Sequence, residues 1–242
     1  MFNSIYEKYI VNLNLEKCLH KVFVIYLKIL SKKNKLFLKY NIKTSFSSFN
    51  QDTWIIKNIF KYKKNLFFID VGAYDGISNS NTILFEKFYN WKGLLFEPNK
   101  INYKKLLKFR DNSFCHQIVI SNFNQKLVNI TNNDQLSRIE KRGVYKVKNF
   151  KLKKYIKKKI NLLDIDCEGF EESVITSINF KKNIIDCILI ERPTCNIHRI
   201  LKRNNFIYIK NFLFDYLYVN KSLELNFKEK KFSKLPKKTI YD

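Results

Sequence analysis

A short run of acids and glycines after an apolar segment constrains this chain more than any other feature. Residues 66–69 are large and apolar, and residues 70–76 read Asp-Val-Gly-Ala-Tyr-Asp-Gly. This order predicts a buried strand that ends in a tight turn. The chain has only five glycines. We therefore attribute those in the turn to backbone geometry, because glycine adopts positive φ at little cost and lets the backbone approach a ligand closely.

The acids of this turn indicate a cationic nucleoside rather than a dinucleotide. A pyrophosphate-binding turn follows the pattern G-x-G-x-x-G and presents bare amides to anionic oxygens. Here Tyr74 stands at the second glycine position, and carboxylates lie nearby. Glu97 ends the next predicted strand, where an acid that binds ribose hydroxyls belongs in this topology. Together these residues predict S-adenosylmethionine as the cofactor.

Strand and helix signals alternate from residue 66 onward, which predicts a mostly parallel sheet with right-handed crossovers. The predicted strands are 66–71, 93–97, 114–120, 160–166, 184–191, 206–210 and 213–219, and the predicted helices lie near 81–90, 100–110, 170–178 and 196–204. The last two strands are nearly contiguous, so they should form an antiparallel hairpin. The predicted fold is the α/β, Rossmann-like, three-layer sandwich of class I methyltransferases, with ligands at the carboxyl ends of the strands.

Three regions divide the chain: a helical extension at 1–50, a catalytic domain at 51–220 and a basic tail at 221–242. Asp52 is predicted to cap a helix that continues through residue 60. An insertion at 122–159 separates the third and fourth strands. Its part from 131 to 143 is polar, and 144–150 alternates like a strand. Residues 141–159 hold ten Lys or Arg and no acid, which predicts either a solvated face or a lid that contacts the acceptor.

Several ordered blocks resemble the FkbM-type methyltransferases. They are residues 68–76, 80–82, 85–87, 91–93, 96–99 and 164–171, and the pair Gln51-Asp52 is similar to a short element that these proteins often carry. The resemblance runs from about residue 51 to 219. It implies a class I S-adenosylmethionine fold and O-methylation of a sugar or another small hydroxylated acceptor.

The candidate cofactor residues lie at the ends of the first two strands. Asp70 and Gly72 would form the floor under the methionine and sugar portions of the cofactor, and Asp75 and Gly76 would complete the turn. Glu97 would bind the ribose, unless it is a surface acid at a strand end. Asp75 has helix capping as its alternative role. The resemblance adds two positions, Asn81 and Glu86, for which cofactor contact and helix packing both stay open.

The candidate catalytic residues are carboxylates at the ends of the fourth and fifth strands. Asp166 and Glu168 bracket Cys167, and Glu191 closes the fifth strand. Such an acid can orient the cofactor's amino group, accept the acceptor proton or hold a divalent metal, and a partly buried pair favours general-base work. A purely structural role is the alternative. The five cysteines contain no C-x-x-C pair, and the three histidines do not cluster. A zinc site is therefore not predicted.

The formal net charge of +25 invites a nucleic-acid or membrane partner, although the chain is rich in Lys, Asn, Ile and Phe throughout, as an A/T-rich genome would impose. Our leading hypothesis is a sugar O-methyltransferase acting on a glycan or glycolipid. The alternatives are an RNA methyltransferase that uses the basic surface and an idle scaffold with the same fold. We expect a cytoplasmic protein, because no secretory signal is evident. Basic N-terminal helices would allow peripheral membrane contact.

Overall fold

A computed structural model describes residues 45–131, 139–140, 143–157, 159–223, 225 and 227–232. Its centre is a seven-stranded sheet. The strands of this sheet are β1 (Phe67–Val71), β2 (Lys92–Phe96), β3 (Phe114–His116), β7 (Ile160–Ile165), β8 (Ile185–Glu191), β9 (Phe206–Phe212) and β10 (Asp215–Asn220). They lie in the order β3-β2-β1-β7-β8-β10-β9. All neighbours are parallel except β10, which is antiparallel to β8 and to β9. The predicted class I methyltransferase sheet, with its closing hairpin, is confirmed.

The predicted third strand, 114–120, is wrong in its extent. The chain leaves the large sheet after His116, and β4 (Val119–Ile120) pairs instead with β6 (Tyr145–Phe150). Together with β5 (Leu127–Ile130) these strands form a small sheet of order β4-β6-β5. The strand predicted at 144–150 is confirmed as β6. Most of the polar segment at 131–143 lies outside the described residues.

Helices cover both faces of the large sheet. They are α1 (Gln51–Asn58), α2 (Ile83–Tyr89), α3 (Lys100–Phe109), α4 (Glu171–Thr176) and α5 (Cys195–Arg203). The side chain of Asn99 caps α3 by accepting the N–H groups of Ile101 and Asn102. Asp52 lies in the first turn of α1 and not at its N-cap, which is Asn50. Its carboxylate accepts the first-turn amide of Thr53 and also hydrogen bonds from Ser45, Phe46 and Ser47.

The core consists of two hydrophobic layers, one on each face of the sheet. Neighbouring residues of a strand point to opposite faces, and in these strands both faces are buried, as a central parallel sheet requires. Phe68, Leu162, Leu189 and Leu217 lie in one layer, and Ile69, Leu163, Ile188 and Ile190 lie in the other. The three-layer sandwich follows from this arrangement.

The described ends of both flanking regions pack against the domain. Phe46 is buried in the first layer, where Leu225 and Phe227 also pack, and Phe232 packs against the second layer. The hydrophobic core therefore extends beyond 51–220 at both ends. The helices predicted for the N-terminal extension fall at residues that are mostly outside the described part of the chain.

Across the described ranges, we find no helix with the length and apolar character needed to cross a membrane.

Candidate active site

Five residues lie at the same level across the carboxyl edge of the large sheet. Val71 pairs with Phe96 of β2 and with Ile165 of β7, and Ile165 pairs with Ile190 of β8. The next residue of each strand therefore lies beside its neighbours, and these residues are Glu97, Gly72, Asp166 and Glu191. Glu191 in turn pairs with Asp215, the first residue of β10. In sheet order this edge row is Glu97, Gly72, Asp166, Glu191 and Asp215.

Gly72 is the gap in the edge row, and only glycine fits there. Its φ is +96°, and a Cβ at this position would stand 1.7 Å from the backbone oxygen of Asp166. The adjoining backbones are tied together, because the amide of Gly72 donates to Phe96 O at 2.9 Å and the amide of Asp166 donates to Val71 O at 3.0 Å. The missing side chain thus lets β1 and β7 approach each other closely at the point between Glu97 and Asp166.

Two clefts meet at this gap and share Gly72, Tyr74, Asp166 and Glu168. The first, which we call the apolar cleft, encloses about 610 Å³ between the edge row and the small sheet. Its walls include Glu97, Ile118, Ile120, Ile130 and Phe170. The second, which we call the acidic cleft, encloses about 600 Å³ and is lined by Asp70, Ser80, Asn81 and Asp164.

The acidic cleft contains a buried acceptor that lacks a partner. Asn81 is only 8% exposed, and its Nδ2 donates to Asp164 Oδ1 at 3.2 Å. Its Oδ1 has no hydrogen-bond partner among the described residues. Because an unpaired buried polar atom is costly, this oxygen indicates a ligand with an N–H donor. The ammonium group of S-adenosylmethionine fits this position.

Two further acids surround Asn81 and raise the negative charge of the cleft. Asp70 accepts the hydroxyl of Thr82 at 2.5 Å. Burial raises the pKa of Asp70, and Arg110 offsets part of that rise. Burial, followed by the charges of Asp70 and Asp215, raises the pKa of Asp164 well above its ordinary value. Carboxylates in such a site are stabilised by a cationic ligand.

Glu97 joins the turn after β1 to the start of α3. Its Oε2 accepts the amide of Tyr74 at 2.9 Å, and its Oε1 accepts the amide of Asn99 at 2.7 Å. Burial raises the pKa of Glu97 to about 8, and the charges of Asp70 and Asp75 also raise it. Each carboxylate oxygen has a second lone pair, so Glu97 retains the capacity to accept ribose hydroxyls within the apolar cleft.

Asp75 and Gly76 support the turn and do not line either described cleft. Both oxygens of Asp75 are used locally: Oδ1 accepts the amides of Ile77 and Ser78, at 2.9 and 2.8 Å, and Oδ2 accepts the Ser78 hydroxyl. A Cβ on Gly76 would meet the side chains of Leu106 and Arg110 at 2.6 and 2.8 Å. Asp75 therefore holds the turn at residues 77–78 and does not cap a helix, because α2 begins only at Ile83. Gly76 packs against α3.

Sequence reasoning missed Arg110, the cation beneath this turn. Its guanidinium is completely buried and forms an ion pair with Glu86, with 2.9 Å between Nε and Oε2. It also donates to Thr82 Oγ1 at 2.9 Å. Burial alone would raise the pKa of Glu86, but Arg110 and Lys87 hold it below its ordinary value. Glu86 is thus a packing and ion-pair residue of α2.

Asp166 opens onto both clefts at their junction. The surrounding protein raises the pKa of Asp166 well above its ordinary value, and the charges of Glu191, Asp215 and Glu168 raise it further. Glu168 has a left-handed backbone, with a φ of 51°. The turn that carries it is held by Glu171, whose Oε1 accepts the amides of Cys167 and Gly169 at 3.0 Å each.

Asp215 completes this group of carboxylates, and sequence reasoning missed it as well. It pairs with Glu191 across the hairpin, and Gln51 Nε2 donates to its Oδ2. Burial raises the pKa of Asp215 to about 6. Glu191 itself is held by Arg192, with 3.3 Å between Nη1 and Oε1. The available signal was an acid at the start of a strand that is otherwise apolar and aromatic.

A divalent metal at Asp166 and Glu168 stays a prediction. Across the residues that the structure describes, no group of three or more His, Cys, Asp or Glu side chains has an arrangement that could hold a metal ion. Carboxylate oxygens remain the donors that magnesium or manganese would prefer.

Comparisons with known proteins agree with this architecture. The family model of the methyltransferase FkbM domain matches residues 70–219, which is more than half of the chain. No curated protein matches the sequence.

Three solved structures illustrate the similarity. The methyltransferase FkbM of Methylobacillus flagellatus is 17% identical, with a TM-score of 0.42; the match covers 65% of this chain and 44% of that one. This chain thus spans less than half of that protein. Precorrin-6y C5,15-methyltransferase of Geobacter metallireducens is 11% identical, with a TM-score of 0.43 and coverage of 71% and 88%.

Fibrillarin of Aeropyrum pernix, solved with natively bound S-adenosyl-L-methionine, is 12% identical, with a TM-score of 0.39 and coverage of 65% and 66%.

The family match starts at Asp70 and includes every residue of the edge row. This chain therefore belongs to the FkbM methyltransferase family and carries the class I domain of an S-adenosylmethionine-dependent methyltransferase.

Proposed function

We propose that this protein methylates a sugar hydroxyl of a glycan, a glycolipid or a similar small hydroxylated acceptor. The observation that carries the proposal is the position of Asp166, a carboxyl group of raised pKa at the junction of the two clefts. Transfer to a hydroxyl requires removal of a proton, and Asp166 is a group that lies where both clefts meet.

The cofactor would lie across both clefts. Asn81 Oδ1 would accept a hydrogen bond from its ammonium group, and Asp70 and Asp164 would complement its positive charge. Glu97 would accept the ribose hydroxyls from the apolar cleft. When bound, S-adenosylmethionine supplies an electrophilic methyl group. The residues of this chain contribute alignment of the two reactants, which alone can supply much of the rate.

Asp166 would accept the proton of the acceptor hydroxyl. A carboxylate of ordinary pKa is a weak base. The surrounding protein and the charges of Glu191 and Asp215 raise the pKa of Asp166, and a higher proton affinity makes its carboxylate a stronger base. Glu168, beside it in the same turn, is the second candidate for this role. Either acid would hold a metal if one is required.

RNA is the second candidate acceptor, and the small sheet supports it. Lys146 and Lys148 are exposed on β6, whose neighbours Val119 and Ile120 line the apolar cleft. Lysines beside a cleft favour a polyanion. Basic N-terminal helices resting on a membrane would similarly favour a lipid-linked acceptor. The cytoplasmic location belongs to the same proposal.

The test uses labelled S-adenosylmethionine and an extract of the source cells separated into glycan, lipid, nucleic-acid and protein fractions. We expect label in the glycan or glycolipid fraction with the full chain and none with Asp166→Asn. Label confined to RNA at physiological salt would replace the sugar proposal with the RNA alternative. Cofactor binding by the Asp166→Asn variant serves as the control for an intact domain.

A further inference from the structure

Three side chains form an aromatic rim beside the far end of the edge row. We define this rim as Phe49, Arg192 and Phe214. The rings of Phe49 and Phe214 meet edge to face, with 6.4 Å between their centroids. The guanidinium carbon of Arg192 lies 4.5 Å from the centre of the Phe214 ring. Phe49 is 42% exposed, so the rim presents an aromatic surface to solvent.

The rim is connected to the carboxylates of the edge row. Arg192 follows Glu191 directly, forms an ion pair with it and donates its amide to Phe214 O at 2.9 Å. Gln51, which is 1% exposed, accepts the amide of Phe49 with Oε1 at 2.8 Å. Its Nε2 then faces Asp215. The rim and the carboxylates therefore hold one another in place.

The backbone of Arg192 supports this assignment. Its φ is 41°, a conformation that costs free energy in a residue other than glycine. The contacts to Glu191 and Phe214 maintain it. As a result, the guanidinium lies over the Phe214 ring, while the side chain remains 40% exposed.

Under the proposed function, the two reactants approach Asp166 from opposite sides. The unpartnered oxygen of Asn81 belongs to the acidic cleft, on the β1 side of Asp166, so we place the methyl donor on that side. The acceptor then approaches from the opposite side, where β8 ends at Glu191 and β10 begins at Asp215.

We propose that the aromatic rim and the carboxylates of Glu191 and Asp215 bind the sugar ring of the acceptor. This inference rests on the proposed function. The C–H face of a sugar ring packs on Phe49 and Phe214, its hydroxyls donate to the two carboxylates, and Arg192 donates to a ring or hydroxyl oxygen. Phosphates are disfavoured here, because they meet carboxylates at close range.

The experiment uses the full chain, tritium-labelled S-adenosylmethionine and an array of immobilised glycans, followed by kinetics on the glycan that becomes labelled. Phe49→Ala removes an exposed ring, and Arg192→Lys keeps the charge but loses the planar group. The matched control is Phe114→Ala, which removes a ring that is 67% exposed on β3, on the opposite side of the sheet.

We expect both rim variants to raise KM for the glycan about tenfold or more, equivalent to about 1.4 kcal/mol, with little change in kcat or in cofactor affinity measured by calorimetry. Phe114→Ala should leave KM unchanged. A glycan that is labelled with an unchanged KM in both rim variants would overturn the rim assignment and leave the proposed function standing. Absence of label on every glycan would overturn both.

Discussion

The acids around the end of β1 and the acids at the ends of β7, β8 and β10 have opposite surroundings. Near β1, Asp75 accepts two backbone amides, and Glu86 pairs with buried Arg110. Near β7, Asp166 meets other carboxylates and opens onto both clefts. Asp and Glu residues near β1 thus stabilise the fold, whereas Asp and Glu residues near β7 are placed to contact a ligand.

This difference gives a criterion for distinguishing carboxylates that stabilise the fold from carboxylates that act on a substrate. A buried carboxylate with a cation or several N–H donors contributes to the folded structure, whereas one surrounded by like charges has a raised proton affinity and is available to a substrate. We therefore expect substitutions on the β1 side to reduce stability and substitutions on the β7 side to reduce activity. Five predictions test this division, from the largest expected effect to the smallest.

The largest effect should come from filling the gap in the edge row. Gly72→Ala places a Cβ against the oxygen of Asp166 at a φ of +96°, so β1 and β7 must separate. We expect a loss of about 4 kcal/mol or more in the free energy of unfolding, measured by urea denaturation. Gly169→Ala is the control. Its φ is +98° but its surroundings are open, so only about 1–2 kcal/mol of backbone strain applies. Equal losses would contradict the close-approach explanation.

Arg110→Met should be next in size. It leaves Glu86 buried without its cation, and breaking a buried ion pair costs about 3–5 kcal/mol. Lys87→Met is the matched control, because Lys87 contacts the same carboxylate at 3.2 Å from a side chain that reaches the surface. We expect at most about 1 kcal/mol there. Thermal and urea unfolding of both variants would measure the difference, and similar losses would remove the special role of Arg110.

On the β7 side, Asp166→Asn or Glu168→Gln should reduce turnover and leave the fold intact. Loss of a general base lowers the rate about 10²–10⁴-fold. Turnover on the labelled acceptor measures this, with circular dichroism and cofactor calorimetry as controls. Activity that is lost with a chelator and restored by magnesium or manganese would assign these acids to a cation. Near-normal turnover in both variants, with and without the chelator, would show that the two acids are structural. Catalysis would then depend on Glu191 or on alignment of the reactants by itself.

Glu97→Ala should weaken cofactor affinity by about 1–3 kcal/mol, the range for lost hydrogen bonds to a charged group. Calorimetry with S-adenosylmethionine and with its demethylated product would show the change, and NAD should not bind. Asp111→Ala, which removes a surface acid with 71% side-chain exposure, should leave the affinity unchanged. Wild-type affinity in a folded Glu97→Ala variant would exclude Glu97 from the cofactor site.

The smallest effect, taken per pH unit, concerns the pH dependence of stability. The pKa of Glu97 is about 8 in the folded chain, against an ordinary value of 4.5. Between these values the folded state binds the proton that the unfolded state has lost, so stability falls as the pH rises through this window. One proton changes the free energy by at most about 1.4 kcal/mol per pH unit. Glu97→Gln should flatten the fall between pH 6 and 8, and an unaltered slope would show that Glu97 is ionised throughout this range.

How much of the site could be predicted depends on how far apart in sequence its contacts lie. Asp70, Gly72 and Glu97 end apolar strands, and Asp166 follows the next such run, so the pattern placed all of them at one edge of the sheet. Arg110 comes at the end of a helix rich in lysine, and no local pattern distinguishes it from its neighbours. Its burial depends on where α2 and α3 pack, which is a property of the tertiary structure.

The sequence by itself determined the sheet, the turn after β1 and the family, because alternating apolar runs and glycine positions are local signals. Only the tertiary structure decided which acids are supported and which are open to a ligand. Gln51 and Asp215 are 164 residues apart. The pKa of Asp166 is raised first by the protein that surrounds it and then by the charges of Glu191 and Asp215 on other strands. Proton affinity depends on the distances between charges and on their burial, and no local pattern in the chain encodes either quantity.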